Sequence, residues 1–318
     1  MTKKHVVITG AGGFVGQRLA QQLLLDPAFA NVNLTLTDVA ISQSPRAANV
    51  RIVQGDLSER RVIAEVLGTR ADLVYHLAGV LGGAAEANYA LSRKVNLDAS
   101  LNLLEALRDE AHPPRVVFAS SIAVFGPPLP DAIDDDTMPV PVMHYGGQKR
   151  MIEVAIEQLS AHGWIDGLAI RLPGIVARRG ADSRLKSAFL NTMFYDYAAG
   201  RDFTLPVSAE GTVWLLSIAA CTQAFLHAAR LLRSELGPRR AFTLPALRVS
   251  MSQLVAALRE RYPESESKIH WEPDARIEAL FARQPPLSAA LGDALGFRHD
   301  GTIARLIAQA VDEWPLSL

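Results

Sequence analysis

A glycine cluster directly behind the first strand-like run constrains this chain more than any other stretch. Val6-Val7-Ile8 is β-branched and apolar, and it passes into Thr9-Gly10-Ala11-Gly12-Gly13-Phe14-Val15-Gly16. An amphipathic helix is expected from about Gly13 to Leu25. In this order Gly10 permits the tight turn, Gly13 lets the backbone approach a pyrophosphate, and Gly16 lets the helix pack closely on the strand. Phe14 and Val15 open the helix, whose N–H groups and dipole favour an anion at that end. A strand, a glycine turn and a helix in this arrangement mark a dinucleotide site.

The rest of the first half keeps the same rhythm. Strands are expected at Val32 to Thr37, Val50 to Val53, Leu73 to Leu77, Val116 to Ala119 and Leu168 to Leu172. Helices are expected from Ser58, a plausible N-cap, to Leu67 and from about Ala85 to Glu110. Nearly continuous apolar strands alternating with helices make a parallel sheet covered on both faces. Right-handed crossovers make it doubly wound. The fold class is α/β, a doubly wound parallel (Rossmann) sheet with a smaller C-terminal α/β substrate lobe.

Beyond Gly174 the rhythm changes. A helix is expected from about Leu185 to Ala199, a strand at Ala241 to Leu244, and a helix starting at Ser250. A strand-like segment at Ile269 to Trp271 and a last helix from Thr302 to Trp314 follow. Residues 1–173 read as the dinucleotide-binding domain, and 174–318 mainly as the substrate lobe, with room for elements that return to the main sheet. The Pro-rich stretch Pro127 to Pro141 reads as a loop, not a domain linker.

The 318 residues are 49% hydrophobic and 20% charged, with a formal net charge of -1. That balance lacks the basic footprint of a nucleic-acid binder and leaves a small molecule as the expected partner. Cys221 is the only cysteine, which excludes an internal disulfide and a multi-cysteine metal site. It falls in the apolar run Leu215 to Ala229 and is expected to be buried. The histidines show no ligand spacing, so no metal is expected. No stretch reaches the roughly 18 apolar residues of a membrane helix. The run His5 to Thr9 is too short for a signal-peptide core, so a cytoplasmic protein is expected.

Ligands of such sheets bind outside the carboxyl ends of the strands. Gly10, Asp38, Asp56, Ala78 and Ser121 stand just past those ends. Asp38 closes the second strand about 20 residues beyond the glycines, as the dinucleotide pattern requires. A carboxylate there accepts from the adenosine ribose hydroxyls and repels a 2′-phosphate, which selects NAD over NADP. Asp56 and Leu57, after the third strand, fit an adenine contact; a turn-initiating Asp56 is the alternative. Tyr145 and Lys149 lie i, i+4 at the start of an expected helix and so share a face. A tyrosine titrates near 10 in water and serves as a base near neutral pH only if lowered by about three pH units. An adjacent ammonium plus the positive nicotinamide ring supplies charge of the required sign.

Thr9-Gly10-x-x-Gly13-Phe14-x-Gly16, His76-Leu77-Ala78-Gly79, Asn96, Ser120-Ser121-Ile122-Ala123-Val124-Phe125-Gly126 and Tyr145-x-x-x-Lys149 together resemble the extended short-chain dehydrogenase/reductases. The likeness runs to Ala294-Leu295-Gly296-Phe297. It implies Tyr145 as proton acceptor or donor, and Lys149 as holder of the nicotinamide ribose that also lowers the Tyr145 pKa. Ser121 would bond the reacting substrate oxygen, with Ser120 structural. Leu77, Ala78 and Pro173 would line the cofactor, and Asn96 would fix the active-site helix and a water relay. The implied reaction is hydride transfer from a carbon bearing a hydroxyl to NAD, in a homodimer joined through Ala85 to Glu110 and Met143 to Ser160.

Nucleotide-sugar enzymes of the superfamily usually carry Arg-x-x-Asn-x-x-Gly-Pro after the sixth strand, where this chain reads Arg171-Leu172-Pro173-Gly174. The chain resembles the D-erythronate dehydrogenase group instead. It does so in the Ser121 to Gly126 run, in Asp134-Asp135-Asp136, Arg171-Leu172-Pro173 and Trp271-Glu272-Pro273-Asp274. That group oxidises C2 of a four-carbon sugar acid. The chain departs from it at Gly82 and at Thr212-Val213 before Trp214. Arg178, Arg179 and Arg184 are candidates for a substrate carboxylate. Trp214 would floor the pocket or fill the core. An L-threonine 3-dehydrogenase-like or uronate-dehydrogenase-like enzyme, a nucleotide-sugar epimerase and a non-catalytic dinucleotide sensor are the competing readings.

Overall fold

The computed structural model describes residues 3–45, 47–68, 70–180 and 188–311. Arg184, the start of the helix expected at Leu185 and the end of the one expected to reach Trp314 lie outside them. The strands are β1 (Lys4–Thr9), β2 (Val32–Asp38), β3 (Val50–Gln54), β4 (Leu73–His76), β5 (Arg115–Ser121) and β6 (Asp166–Leu172), then β7 (Gly174–Val176), β8 (Phe203–Leu205), β9 (Thr212–Ser217), β10 (Ala241–Thr243), β11 (Leu247–Ser250) and β12 (Ile269–Trp271). The helices that matter below are α1 (Phe14–Leu25), α2 (Arg60–Leu67), α3 (Gly82–Ala87), α4 (Tyr89–Ser92), α5 (Ala99–Ala106) and α6 (His144–Ala161).

The chain divides into two compact units. The first comprises Met1–Gly126, Pro139–Arg171 and Thr222–Thr243. Its sheet runs β10-β6-β5-β4-β1-β2-β3. The pairings follow parallel register, with Val7 opposite both Thr35 and Val74. From β1 the chain steps out through β2 to β3, then returns past β1 to β4. In open parallel sheets the ligand crevice lies at such a reversal, here where β1 ends and Gly10 begins. The apolar inner residues Val7, Val74, Val116 and Phe118 pack on Leu103 and Leu104 of α5 and Ile152 and Ile156 of α6. β10 returns to this sheet beside β6, with Ala241 opposite Ala169.

The single helix expected from Ala85 to Glu110 is broken instead. α3 stops at Asn88, whose side chain accepts from Leu91 N–H and starts α4. A wide π turn, Arg93–Asp98, then precedes α5. The extra residue of such a turn re-aims one side chain, and here the buried member is Asn96.

The second unit comprises Pro127–Met138, Leu172–Cys221 and Leu244–Leu318. It holds a three-stranded sheet, β11-β9-β7, and the pair β12-β8. β9 runs antiparallel to β11 and parallel to β7. Val213 and Leu215 pack on Phe194, Leu254 and Leu306. Trp214, pointing the other way from β9, is buried and donates from Nε1 to Pro285 O at 2.8 Å. The Pro-rich segment is tied into this unit: Ile133 N donates to Pro286 O at 2.9 Å and Ser288 N to Ile133 O at 2.8 Å. Within the acidic run, Asp135 accepts from Leu291 N at 2.8 Å and Asp134 closes a turn onto Thr137. Cys221 is buried and unoxidised. Among the described residues, no helix is long and apolar enough to cross a membrane and no cluster of His, Cys, Asp or Glu is arranged to hold a metal.

Candidate active site

The glycine turn is closed so tightly that side chains have no place in it. Gly10 adopts φ +68°, and a Cβ there would lie 2.6 Å from Ala78 N. A Cβ on Gly12 would meet Ala40 O at 2.1 Å, and one on Gly16 would meet Gly10 O at 2.2 Å. Gly13 differs: its nearest neighbour is Gly10 O at 3.2 Å, which leaves its outer side open. Gly13 also caps α1 with no side-chain bond, and the first turn, Phe14, Val15 and Gly16, carries no carboxylate. An uncapped helix start beside an open glycine fits a pyrophosphate, by dipole and by amide donors. Gln17 Nε2 pins the loop through Gly12 O at 2.8 Å.

Asp38 holds the same loop from the β2 end. Its Oδ2 accepts from Gly12 N at 3.0 Å and its Oδ1 from Val39 N at 2.7 Å. Asp56 makes the turn after β3, accepting from Ser58 N at 2.9 Å, and pairs with Lys94 at 2.9 Å. These bonds hold its carboxyl below the usual range despite some burial. Leu57 is buried and packs in the sheet core with Val62. Leu77 N and Ala78 N both donate to Thr9 Oγ1 at 3.2 Å, which fixes the β4 exit against the glycine turn. Thr9 in turn meets His76 Nδ1 at 2.8 Å, and His76 Nε2 meets Ser100 Oγ at 2.8 Å. Burial and the nearby Lys149 push His76 down to about 3, so it is a neutral strut.

Ser121 ends β5, and Tyr145 and Lys149 stand in the first turns of α6. Ser121 caps a short 3₁₀ turn by accepting from Ala123 N at 3.1 Å, and its side chain favours ionisation of the Tyr145 phenol. Lys149 is 3% exposed. Its Nζ donates to Ala119 O at 2.7 Å and lies 4.5 Å from the centre of the Phe118 ring and 5.6 Å from that of Tyr145. The three side chains expected to work together are therefore brought together by the end of β5 and the start of α6. Pro173 follows β6 directly and falls in the second unit, as do Arg178 and Arg179. Arg178 N is bonded to Asn191, and the Arg179 guanidinium stacks 4.5 Å from the Tyr195 ring centre.

Asn96, re-aimed by the π turn, accepts from Val80 N at 2.7 Å and donates to Val80 O at 3.0 Å and Gln148 Oε1 at 2.8 Å. Gln148 donates on to Ser92 Oγ at 3.1 Å. This chain locks α6 to the loop after β4 one residue before Lys149. Gln148 and Ser92 escaped the sequence reading, as did Glu86, which accepts from Tyr145 N at 3.3 Å at the start of α6. Gly82 stands beside the catalytic candidate: a Cβ there would lie 3.4 Å from Met143 Cε and 4.0 Å from Tyr145 Cδ1.

In the protein alone, burial opposes the lowering of Tyr145 expected from Lys149 together with the positive nicotinamide ring. Burial pushes the Tyr145 phenol up to about 12, and the influence opposing it is the Ser121 hydrogen bond. Burial likewise brings Lys149 down to about 7, against the pull of Glu153. A lysine near 7 changes its charge around neutral pH. In this state the pair is poised rather than active.

The Lys149 shift carries a stability consequence with a definite sign. An unfolded lysine titrates near 10.4. Below pH 7 both states hold the proton and the folded protein bears the full cost of a buried ammonium. As pH rises from 7 toward 10, the folded state sheds the proton first and the cost is relieved. Lys149→Met should therefore raise the melting temperature, most at pH 6 and least at pH 9. Thermal unfolding across that range checks this, and a gain that grows with pH would contradict it.

Residues 6–237 match the model of the NAD dependent epimerase/dehydratase family. The chain is 37% identical to the D-erythronate dehydrogenase of Cupriavidus necator, covering 97% of this chain and 98% of that one. It is 33% identical to the D-erythronate dehydrogenase of Haemophilus influenzae, covering 96% and 98%. Among solved structures it is similar to a nucleoside-diphosphate-sugar epimerase from Agrobacterium tumefaciens, with TM-score 0.90, 30% identity, and coverage of 98% and 95%. A glycine turn shaped for a dinucleotide, a Ser-Tyr-Lys group beside it and a full-length match agree: the chain belongs to the NAD dependent epimerase/dehydratase family.

Proposed function

We propose that this protein is an NAD-dependent dehydrogenase that oxidises a hydroxyl of a small sugar acid, D-erythronate or a close analogue, at C2. The observation that carries the reading is the Ser121–Tyr145–Lys149 group at the carboxyl edge of the sheet. Full-length likeness to two D-erythronate dehydrogenases supports the substrate class.

Tyr145 takes the proton of the substrate hydroxyl. Ser121 stands by the phenol and would bond the same substrate oxygen, fixing it for proton loss. Lys149, when protonated, puts positive charge near Tyr145, and its Nζ lies beside Gly79, where a Cβ would lie 3.6 Å away. When bound, oxidised NAD would supply the hydride acceptor for the carbinol carbon and a positive ring charge that favours ionisation of the Tyr145 phenol. The first-turn amides of Phe14, Val15 and Gly16 would hold the pyrophosphate. Asp38 would take the adenosine ribose, with Asp56, Leu57, Leu77, Ala78, Asn96 and Pro173 completing the cofactor's surroundings. A carboxylate at Asp38 disfavours a 2′-phosphate, which supports NAD over NADP.

Incubating the purified protein with NAD and D-erythronate should yield NADH and a 2-oxo acid, with NADP far less effective. Tyr145→Phe should reduce kcat by roughly 10²–10⁴-fold, the usual range for a general base. Turnover should rise with pH, because the Tyr145 phenol must ionise to take the proton. Unchanged turnover in Tyr145→Phe, or none with any four-carbon sugar acid, would overturn the reading; bound NAD with no net NADH would point to an epimerase.

We further propose a cytoplasmic homodimer. Support comes from apolar side chains left exposed on neighbouring elements of the first unit: Leu101 of α5 is 37% exposed, and Met151 and Val154 of α6 are 48% and 47%. Light scattering should give twice 34.4 kDa, and Met151→Glu should shift the mass toward that of one chain. A wild-type monomer would contradict it.

A further inference from the structure

Building on the reading of Tyr145 and Lys149 above, we propose that Glu153 is a positioning residue of this site. Its buried carboxylate supplies the counter-charge for the Lys149 ammonium one turn earlier on α6 and ties that turn to the exits of β5 and β6.

The cluster is built from three elements. Glu153 has no exposed surface. It accepts from Ser120 Oγ of β5 at 2.6 Å, from Arg171 Nε and Nη2 of β6 at 2.9 Å each, and from Arg150 Nη1 of α6 at 3.1 Å. Ser120 precedes Ser121, and Arg171 lies two residues before Pro173, so the carboxylate sits behind both strand exits. Lys149 and Glu153 are i, i+4 and share a face. The bond that Lys149 Nζ itself makes goes to a neutral carbonyl, Ala119 O. A buried ammonium bonded to a neutral oxygen still needs negative charge nearby, and Glu153 provides it.

The other charged or titratable groups around the pair do not replace it. His76 of β4 is neutral. Tyr145 is protonated in this state. Arg171 and Arg150 add positive charge, and Glu157 lies a further turn away, 3.9 Å from Arg150. Ser120, expected from sequence to be structural, is the β5 anchor of this device.

A pure clamp and a counter-charge make different predictions. Losing a clamp weakens the fold equally at every pH. Losing the counter-charge hurts only while Lys149 is charged, so the loss must shrink as Lys149 gives up its proton. Thermal unfolding of the full-length chain between pH 6 and pH 9 separates them, using wild type, Glu153→Gln, Lys149→Met and the double variant.

The expected result is a melting-point deficit for Glu153→Gln that is larger at pH 6 than at pH 9 by roughly 2–4 °C. In the Lys149→Met background the deficit should be the same at both. Equal deficits in both backgrounds at every pH would overturn the proposal and leave a structural clamp. Glu153→Gln strands the Arg171 charge, so Glu153→Gln with Arg171→Gln enters the same comparison if the single variant does not fold. These melts require neither cofactor nor substrate. If the unaltered enzyme oxidises no sugar acid, the proposed function falls while the melts still decide the Lys149–Glu153 coupling.

Discussion

The first unit is organised around the burial of one ammonium. Lys149 sits beneath Tyr145 with almost no contact to solvent, bonded to the Ala119 carbonyl and lying over the Phe118 ring. Such a group is held only by a frame that cannot relax away from it. That frame has recognisable members: Glu153 behind it, Asn96 and Gln148 fixing its helix, and the Thr9–His76–Ser100 strut under the β4 exit. Tertiary bonds rather than helix propensity set where α6 begins. A lysine brought down to about 7 is unfavourable for the fold, and its charge responds to whatever charge arrives beside it.

The features legible from sequence are those whose chemistry demands local spacing. The glycines must follow the first strand because Gly12 and Gly16 approach backbone oxygens to within 2.1 and 2.2 Å of where a Cβ would stand. Tyr145 and Lys149 must be four apart to share a helix face. Asp38 must end β2 to reach the loop, where it accepts from Gly12 N. The parallel sheet followed from the rhythm of apolar runs, and its order runs outward from β1 in both directions.

What sequence did not disclose depends on contacts between distant segments. A glutamate four residues after a lysine on a helix reads as a surface ion pair, and only Ser120 and Arg171, from two other strands, reveal Glu153 as buried. The stretch from Ala85 to Glu110 carries no proline and reads as one helix. Asn88 capping α4 and Asn96 bonding Val80 pull it into pieces. The Pro-rich segment after Gly126 looks like bare loop, yet Ile133 is buried and paired with Leu287. Tyr145 was expected to be lowered by its lysine neighbour, whereas burial dominates in the protein alone. Gly82, a departure from the group this chain resembles, stands beside the Tyr145 ring and leaves room there for a substrate atom or a different side chain.

The account rests on a hydride leaving C2 of a sugar acid while Tyr145 takes the hydroxyl proton. D-erythronate carrying deuterium at C2 tests this most directly, with mass spectrometry of the recovered cofactor and product. The account predicts reduced NAD one mass unit heavier and a 2-oxo acid free of label. Label retained in the sugar acid, or lost to water without reduced cofactor, would contradict it.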